Sequence, residues 1–339
     1  MNYILKDENA IYYECGYSCD NAIYIHLGSE AFFITDGRYT IDAKDNLKDT
    51  NLLIAKDIYA EAIEVVQKSK IKKLTFDPKE WSVYGFEKLN SIKRVKFKPE
   101  LDFSHKRRII KSNRELEILK KSAKLGAKAF KRLAKEIRED GFGKDEFELT
   151  YKARSILSDF GKYDLSFDPI VAIGVNASKP HATPTEKVLE KGDLLLVDAG
   201  LKYQRYCSDR TRTLQADKYM MFDTHQHFKR KKIQKAYDTV LKAHDNAIEK
   251  AKSGMKAKKV DALTRDIITK AGFGKYFVHS TGHGVGLDIH EMPYISQKSE
   301  ETIEDGMVYT IEPGIYIPDE FGIRIEDMVS MVEGRVEVM

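Results

Sequence analysis

A nearly continuous apolar run that leads directly into an acid restricts the fold of this chain more than any other feature. Leu194, Leu195, Leu196 and Val197 immediately precede Asp198. Such a run is typical of a strand that is covered on both faces, so the sequence predicts a sheet with a layer on each side. A carboxylate at the end of this strand is costly unless a cation or hydrogen-bond donors meet it.

Residues 1–108 are predicted to form a small α/β domain, because strand and helix signals alternate along them in the way that produces a partly parallel sheet flanked by helices. Two of the strands are joined by a turn at Gly28. The predicted elements are strands at 22–27, 31–35, 52–54 and 73–76 and helices at 60–66 and 83–89.

A domain boundary is predicted near the basic residues 105–108, which makes 109–339 the second domain. Ser112 and Glu115 have the spacing of a capping box, and apolar residues then recur at helical spacing until Gly141. The rest of the chain indicates an α+β domain. Its further predicted elements are helices at 144–160, 229–252 and 258–271 and strands at 169–173, 193–199, 204–214, 308–317 and 322–332.

Composition excludes several classes of protein. No apolar run reaches the ~18 residues of a membrane span, and the N-terminal residues turn acidic where a signal peptide is apolar. Three cysteines cannot build a disulfide framework, and Cys15 and Cys19 lack a second pair of ligands for zinc. We therefore expect a cytoplasmic protein with no membrane partner.

The charge balance argues against a nucleic-acid partner. The net charge is only +4, and the two lysine-rich stretches, 229–232 and 256–259, are interpreted as a solvated helix start or loop. Nucleic-acid binding is the alternative for these stretches, but no aromatic residues are interleaved with the lysines as base stacking requires.

Three more acids stand near predicted strand ends. Asp209 lies on the returning strand of a predicted hairpin, Glu312 precedes a Pro-Gly pair that ends a strand, and Glu326 lies within the predicted strand 322–332. Asp198 and Asp209 have an alternative as turn or cap residues. Two-residue alternation places Arg324 and Glu326 on one face, where a surface ion pair is the alternative.

Residues 279–291 combine three glycines with three histidines, His279, His283 and His290. The glycines disfavour a helix, and no apolar strand leads into them as a nucleotide-binding loop requires, so we expect them to let the backbone approach a ligand cluster. His181 is a fourth candidate, with a solvated loop histidine as its alternative. Two Asp, two Glu and one or more His suit a pair of divalent ions that activate a hydroxide.

The sequence resembles the pita-bread metallopeptidases in five segments whose order and spacing match from about residue 110 onward. Residues 35–39 resemble the creatinase-type domain that precedes the catalytic domain in aminopeptidase P and prolidase. The resemblance implies an α+β pita-bread catalytic domain over 109–339 behind a creatinase-like α/β domain over 1–108. The five segments are 197–200, 208–213, 279–291, 310–318 and 322–327.

The resemblance also implies a role for each candidate residue. His181, His290 and Glu312 would be catalytic, and His279 and Arg324 would belong to the substrate-binding set. The cofactor would be two divalent metal ions, Mn²⁺ first, with Co²⁺ or Zn²⁺ as alternatives. The metal ligands would be Asp198, Asp209, His283, Glu312 and Glu326.

The predicted function is that of an Xaa-Pro aminopeptidase, which removes the first residue from peptides with proline in second position. A hydroxide bridging the two ions would attack the carbonyl, Glu312 would carry the proton, and His181 and His290 would stabilise the tetrahedral oxygen. The alternatives are an Xaa-Pro dipeptidase (prolidase) and a non-catalytic pita-bread binding protein. The resemblance further implies a homodimer.

Overall fold

A six-stranded mixed sheet organises the first of the two units of the chain, Met1–Arg108. The computed structural model describes residues 1–339. The unit contains strands β1 (Tyr3–Leu5), β2 (Ala22–Leu27), β3 (Glu30–Thr35), β4 (Asn51–Ile54), β5 (Lys73–Phe76) and β6 (Lys96–Pro99) and helices α1 (Glu8–Cys15), α2 (Thr40–Asn46), α3 (Ile58–Lys68), α4 (Val83–Leu89) and α5 (Phe103–Arg108).

The strand order in this sheet is β4-β3-β2-β1-β5-β6. Strand β2 is antiparallel to β1 and β3, whereas β4, β5 and β6 run parallel to their inner neighbours. The predicted alternation of strand and helix is therefore present. The short strands β1 and β6 were not predicted, because β1 has only three residues and β6 contains a single apolar side chain, Phe97, before its proline.

The second unit, Ile109–Met339, contains four long helices and β-sheets of two, three and five strands. Its helices are α6 (Asn113–Asp140), α7 (Glu146–Leu157), α8 (Lys231–Lys250) and α9 (Ala257–Lys270). Its strands are β7 (Ile170–Ile173), β8 (Leu194–Asp198), β9 (Lys202–Tyr203), β10 (Tyr206–Cys207), β11 (Thr211–Gln215), β12 (Gly282–Gly284), β13 (Glu291–Ile295), β14 (Val308–Ile311), β15 (Gly314–Ile317), β16 (Phe321–Arg324), β17 (Asp327–Val332) and β18 (Arg335–Val338).

These strands form one antiparallel sheet of three strands, β11-β8-β7, and one of five, β13-β12-β14-β17-β18. Strands β9 and β10, and likewise β15 and β16, pair as two-stranded ribbons. None of the helices is long and apolar enough to cross a membrane.

The strand that carries Asp198 is covered on both faces, as its apolar run predicts. Leu195 and Val197 belong to the core formed with α6 and α7, whereas Leu194 and Leu196 belong to the core formed with α8. Burial of each such side chain is worth about 1.5–3 kcal/mol. The two cores therefore fix β8 from both sides, and with it the position of the acid at its end.

The helix starts follow the sequence signals. Helix α6 begins after Ser112, whose hydroxyl accepts from the Glu115 amide while the Glu115 carboxylate accepts from the Ser112 amide. Helices α8 and α9 begin within the two lysine-rich stretches, which are mostly exposed. These lysines are helix-start residues, as interpreted from the sequence.

Three strands that the sequence predicts as continuous are interrupted in the structure. The predicted strand 204–214 contains a turn and then a break after β10, 308–317 breaks after β14, and 322–332 breaks after β16. Pro313 contributes to the second break because it has no N–H for the ladder. The breaks leave three acids free to point away from the sheets, namely Asp209, Glu312 and Glu326.

Candidate metal centre

One cavity of about 520 Å³ collects every site residue that the sequence singles out. The acids reach it from strand ends, since Asp198 is the last residue of β8 and the other three follow β10, β14 and β16. The cavity is lined by Asp198, Asp209, Glu312 and Glu326, by His181, His279, His283 and His290, and by Arg324.

His283 lies among the acids at ligand spacing. Its Nε2 atom is 3.7 Å from a carboxylate oxygen of Asp209 and 3.3 Å from one of Glu312. One donor atom from each of Asp209, His283 and Glu326 lies within 4.8 Å of the other two. Hard carboxylate oxygens with one imidazole nitrogen at this spacing form a donor set that suits divalent cations.

The acids lie too close together and too deeply buried for all of them to ionise without a cation. Burial and the neighbouring carboxylates raise the pKa values of Asp209 and Glu326 well above their ordinary range. Burial, with a contribution from Asp198, raises the pKa of Glu312 to about 8. Desolvation and like charge both favour the protonated form, so a divalent ion would relieve both.

His283 is held in its neutral form. Its Nδ1 atom lies 3.1 Å from the carbonyl oxygen of Gly284, which assigns the proton to Nδ1 and leaves the lone pair of Nε2 facing the acids. Burial and the nearby His290 lower the pKa of His283 to about 4. The ring can therefore donate to a metal without first losing a proton.

The glycines around His283 bring backbone segments close together, as expected. A Cβ atom on Gly282 would lie 1.9 Å from the carbonyl oxygen of Thr310, and one on Gly284 would lie 2.1 Å from that of Met292. Only glycine permits these approaches, which set β12 directly beside β13 and β14. His283 therefore sits next to Glu312, which follows β14.

Arg324 places a positive charge beside the buried acids and is not part of a surface ion pair. Its side chain is buried and donates to the Asp198 carboxylate at 2.6 Å, to the Tyr316 hydroxyl at 2.7 Å and to the Thr211 hydroxyl at 2.9 Å. The Thr211 hydroxyl in turn donates to Glu326 at 2.6 Å. The alternative of an exposed Arg-Glu pair is therefore wrong.

The residues present fit the divalent ions that the resemblance implies. Arg324 satisfies one carboxylate oxygen of Asp198, but the other, Oδ1, is buried without a hydrogen-bond partner. Buried acceptors in native proteins are normally satisfied. A divalent cation would be a partner for this oxygen, and it would also offset the repulsion among the four carboxylates.

His279 has both ring nitrogens engaged within the protein. Nδ1 lies 2.7 Å from the Ser280 carbonyl oxygen, and Nε2 lies 2.9 Å from the Tyr316 hydroxyl. Burial, together with Arg324, lowers its pKa to about 3. The neutral ring therefore presents only its carbon face to the cavity.

His181 and His290 line the more exposed part of the cavity. The His290 ring lies 4.3 Å from the His283 ring between centroids. Burial, together with the nearby His181, lowers the pKa of His290. Both imidazoles are available to a bound substrate.

Three hydroxyls in this centre were missed in the sequence. Those of Thr211 and Tyr316 connect Arg324 to Glu326 and His279, and the Thr310 hydroxyl donates to Glu312 at 3.3 Å. Thr310 and Tyr316 stand in the segment 310–318 beside Glu312. The Thr211 hydroxyl meets Glu326 and Arg324, which stand more than a hundred residues away, and a single sequence does not show such a contact.

The stability of the metal-free protein should fall as the pH rises. The pKa of Glu312 is about 8 when folded against an ordinary value of 4.5, so the folded state binds more protons, and unfolding becomes more favourable between about pH 4.5 and 8. Thermal unfolding of chelator-treated protein should show Tm decreasing across this window, and the decrease should be smaller in Glu312→Gln. A Tm that stays constant or rises would contradict the assignment of buried, repelling acids.

Known proteins share both the sequence and the fold. Residues 117–333 match metallopeptidase family M24, and residues 2–109 match the creatinase/prolidase N-terminal domain. A Pyrococcus horikoshii protein described as an Xaa-Pro dipeptidase is 40% identical over 252 residues, which cover 74% of this chain and 68% of that protein.

Two solved structures superpose over 99% of the chain. An Xaa-Pro dipeptidase from Bacillus anthracis has a TM-score of 0.90 at 33% identity, with 92% of that chain covered. An X-Pro aminopeptidase from Thermotoga maritima has a TM-score of 0.88 at 30% identity, with 94% covered. The predicted resemblance and the α+β pita-bread fold are confirmed. The chain belongs to metallopeptidase family M24 and carries the creatinase/prolidase N-terminal domain of its relatives.

Proposed function

We propose that this metallopeptidase is an Xaa-Pro aminopeptidase that acts with two divalent ions, Mn²⁺ first, on peptides longer than two residues. The ions would be held by the five predicted ligands, Asp198, Asp209, His283, Glu312 and Glu326. The observation that carries the aminopeptidase assignment is the absence of an uncommitted lysine or arginine among the residues that line the cavity.

A dipeptidase must accept a carboxylate directly after the second residue of its substrate. Arg324 is the one lysine or arginine that lines the cavity, and each of its three nitrogens already donates to a protein oxygen. Low pKa values keep His279 and His283 neutral as well. A free carboxylate at this point would be desolvated with no uncommitted lysine or arginine beside it, whereas the peptide bond of a longer substrate carries no charge.

The apolar part of the lining suits a proline ring. The carbon face of His279 stands in the same cavity as Phe167, Ile170, Ile289 and Tyr294. Proline has a rigid ring and no N–H, so a site for it needs apolar contact and no acceptor for a backbone hydrogen. This lining supports proline in the second position.

The residues of the chain would divide the chemistry among themselves. Divalent ions supply Lewis-acid polarisation of the carbonyl and lower the pKa of water. Glu312 would take a proton from the attacking water and return it to the leaving nitrogen. His181 and His290 donate to the oxygen that becomes negative. The acidic ligands favour the free amine of the substrate, which directs cleavage to its amino end.

The second candidate function is Xaa-Pro dipeptidase, which the descriptions of similar proteins from Pyrococcus horikoshii and Bacillus anthracis favour. A non-catalytic binding protein is disfavoured, because all five predicted ligand positions keep metal-binding side chains in one cavity. The homodimer and the cytoplasmic location stay predictions.

A substrate series with and without the terminal charge separates the two activities. We expect Xaa-Pro-Yaa tripeptides and the amidated dipeptide Xaa-Pro-NH₂ to be hydrolysed in the presence of Mn²⁺. The free dipeptide Xaa-Pro should show a kcat/KM lower by about 10–100-fold, the equivalent of ~1–3 kcal/mol for an unsatisfied charged group. Preference for the free dipeptide over its amide would establish the dipeptidase instead. Hydrolysis of none of the three with Mn²⁺, Co²⁺ or Zn²⁺ would refute both.

A further inference from the structure

Two of the candidate histidines, His181 and His279, lie on loops, and each loop is fastened by a buried acid from a helix. The acids are Glu146 at the start of α7 and Asp261 in α9, which are 0% and 1% exposed. Neither of them lines the cavity. The hydrogen bonds of each acid identify the loop residues that it holds in place.

Glu146 accepts four hydrogen bonds from the segment that carries His181. The amide of Ile173 donates to one carboxylate oxygen at 2.6 Å. The amide and the hydroxyl of Thr185 and the side-chain amide of Asn176 each donate to the other oxygen at 2.7 Å. The carboxylate thus ties together the beginning and the end of the segment 173–185.

This segment reaches the metal centre between the two ties. The Pro180 carbonyl oxygen accepts from Arg324 at 3.3 Å, and Asn176 also donates to the Thr183 carbonyl oxygen at 2.9 Å. A Cβ atom on Gly322 would lie 1.8 Å from the Ala177 carbonyl oxygen, so the segment packs directly on β16. The position of His181 therefore depends on a short loop fixed at both ends.

Asp261 and Arg265 fasten the other loop in the same way. They form a bidentate ion pair at 2.7 and 2.9 Å. Arg265 also donates to the carbonyl oxygens of Phe277 and His279 at 3.0 and 2.8 Å. Asp261 accepts from the Thr281 hydroxyl at 2.9 Å. The ion pair thus holds residues on both sides of His279 and the backbone of His279 itself.

The fastened loop leads directly into the metal centre. The Thr281 carbonyl oxygen accepts from the amide of Glu312 at 2.8 Å, and His283 follows two residues later. A shift of the loop would therefore move His279 relative to the ligands.

We propose that Glu146 and Asp261 are positioning residues, Glu146 acting through His181 and Asp261, with Arg265, acting through His279. Groups that contact a reacting substrate must be held within ~0.5 Å, and loops achieve this only when buried hydrogen bonds fix them. The proposal rests on the peptidase activity described above.

A double-mutant cycle distinguishes positioning from general stabilisation. Glu146→Gln and Asp261→Asn change little in shape, and each should lower kcat by about 10–100-fold, as a displacement near 1 Å does. Glu146→Gln should have no further effect, within about 2-fold, when His181 is already Ala, but its full effect when His279 is Ala. Asp261→Asn should show the reverse. Equal effects in both backgrounds would overturn the proposal.

Hydrogen–deuterium exchange supplies a readout that does not depend on turnover. Glu146→Gln should accelerate exchange in 174–185 and leave 277–281 unchanged, and Asp261→Asn should do the opposite. Acceleration across the whole unit in both variants would overturn the proposal. If Glu146→Gln does not fold, Thr185→Val, which removes one of the four donors, takes its place. A wild-type protein that cleaves no Xaa-Pro peptide would refute the proposed function, while the exchange result would still decide the positioning.

Discussion

Asp209→Ala should abolish peptide hydrolysis while the protein stays folded. The carboxylate of Asp209 shares a cluster with His283 and Glu326, so its loss removes a ligand that no neighbouring group replaces. We expect kcat/KM to fall by at least about 10⁴-fold, the scale seen when a central catalytic group is removed. Glu312→Ala should behave alike, since it removes both a ligand and the proposed proton carrier.

The Asp209→Ala substitution should not destabilise the fold, because Asp209 is one of four acids that repel each other. Its removal from the metal-free protein relieves a buried charge, so the free energy of unfolding at pH 8 should be unchanged or higher. Asp140→Ala is a matched control, since Asp140 is exposed and pairs only with Lys152. This control should keep wild-type activity. Hydrolysis by Asp209→Ala at a rate near that of the wild type would contradict the assignment.

Arg324→Met should produce the largest loss of stability in the metal-free protein. The guanidinium is buried and pairs with Asp198 at 2.6 Å, and it is the one strong cation beside four acids. Removing one partner of a buried pair costs about 3–5 kcal/mol, because the other charge remains buried. Denaturant unfolding of chelator-treated protein at pH 7 measures this change.

Two further variants test the cause of this loss. Arg324→Lys keeps the positive charge but lacks the guanidinium that donates to Asp198, Thr211 and Tyr316 together. Its loss of stability should therefore be intermediate. Arg132→Met removes an exposed partner of Asp159 and should change stability by less than about 1 kcal/mol. A loss in Arg324→Met no larger than that in Arg132→Met would show that Arg324 does not balance the acids.

The fold was predictable where the sequence pattern is controlled by burial. The apolar run before Asp198 predicted a strand covered on both faces, and the structure places its alternate side chains in two separate cores. The capping box at Ser112 predicted the start of α6. The strand breaks near Asp209 and Glu326 were missed, because burial continues through residues 321–331 and apolar periodicity does not register a change of direction.

The site was predictable in its acids and histidines but not in the groups that support them. The predicted ligands stand in segments that resemble a known family, and the cavity brings their side chains together. The hydroxyl of Thr211 and the buried carboxylate of Glu146 act on partners distant in sequence, whereas the phenol of Tyr316 meets Arg324 across the β15–β16 ribbon. The contacts of Thr211 and Glu146 are set by the packing of β11 and α7 against other elements, which no local pattern specifies.

The number of divalent ions bound by the purified protein tests the central claim most directly. Elemental analysis and calorimetric titration of chelator-treated protein with Mn²⁺ should give two ions per chain for the wild type and at most one for Asp209→Ala, in step with the appearance of peptidase activity. Binding of no ion, or full hydrolysis of Xaa-Pro-Yaa peptides by metal-free protein, would contradict a centre in which five side chains hold two cations.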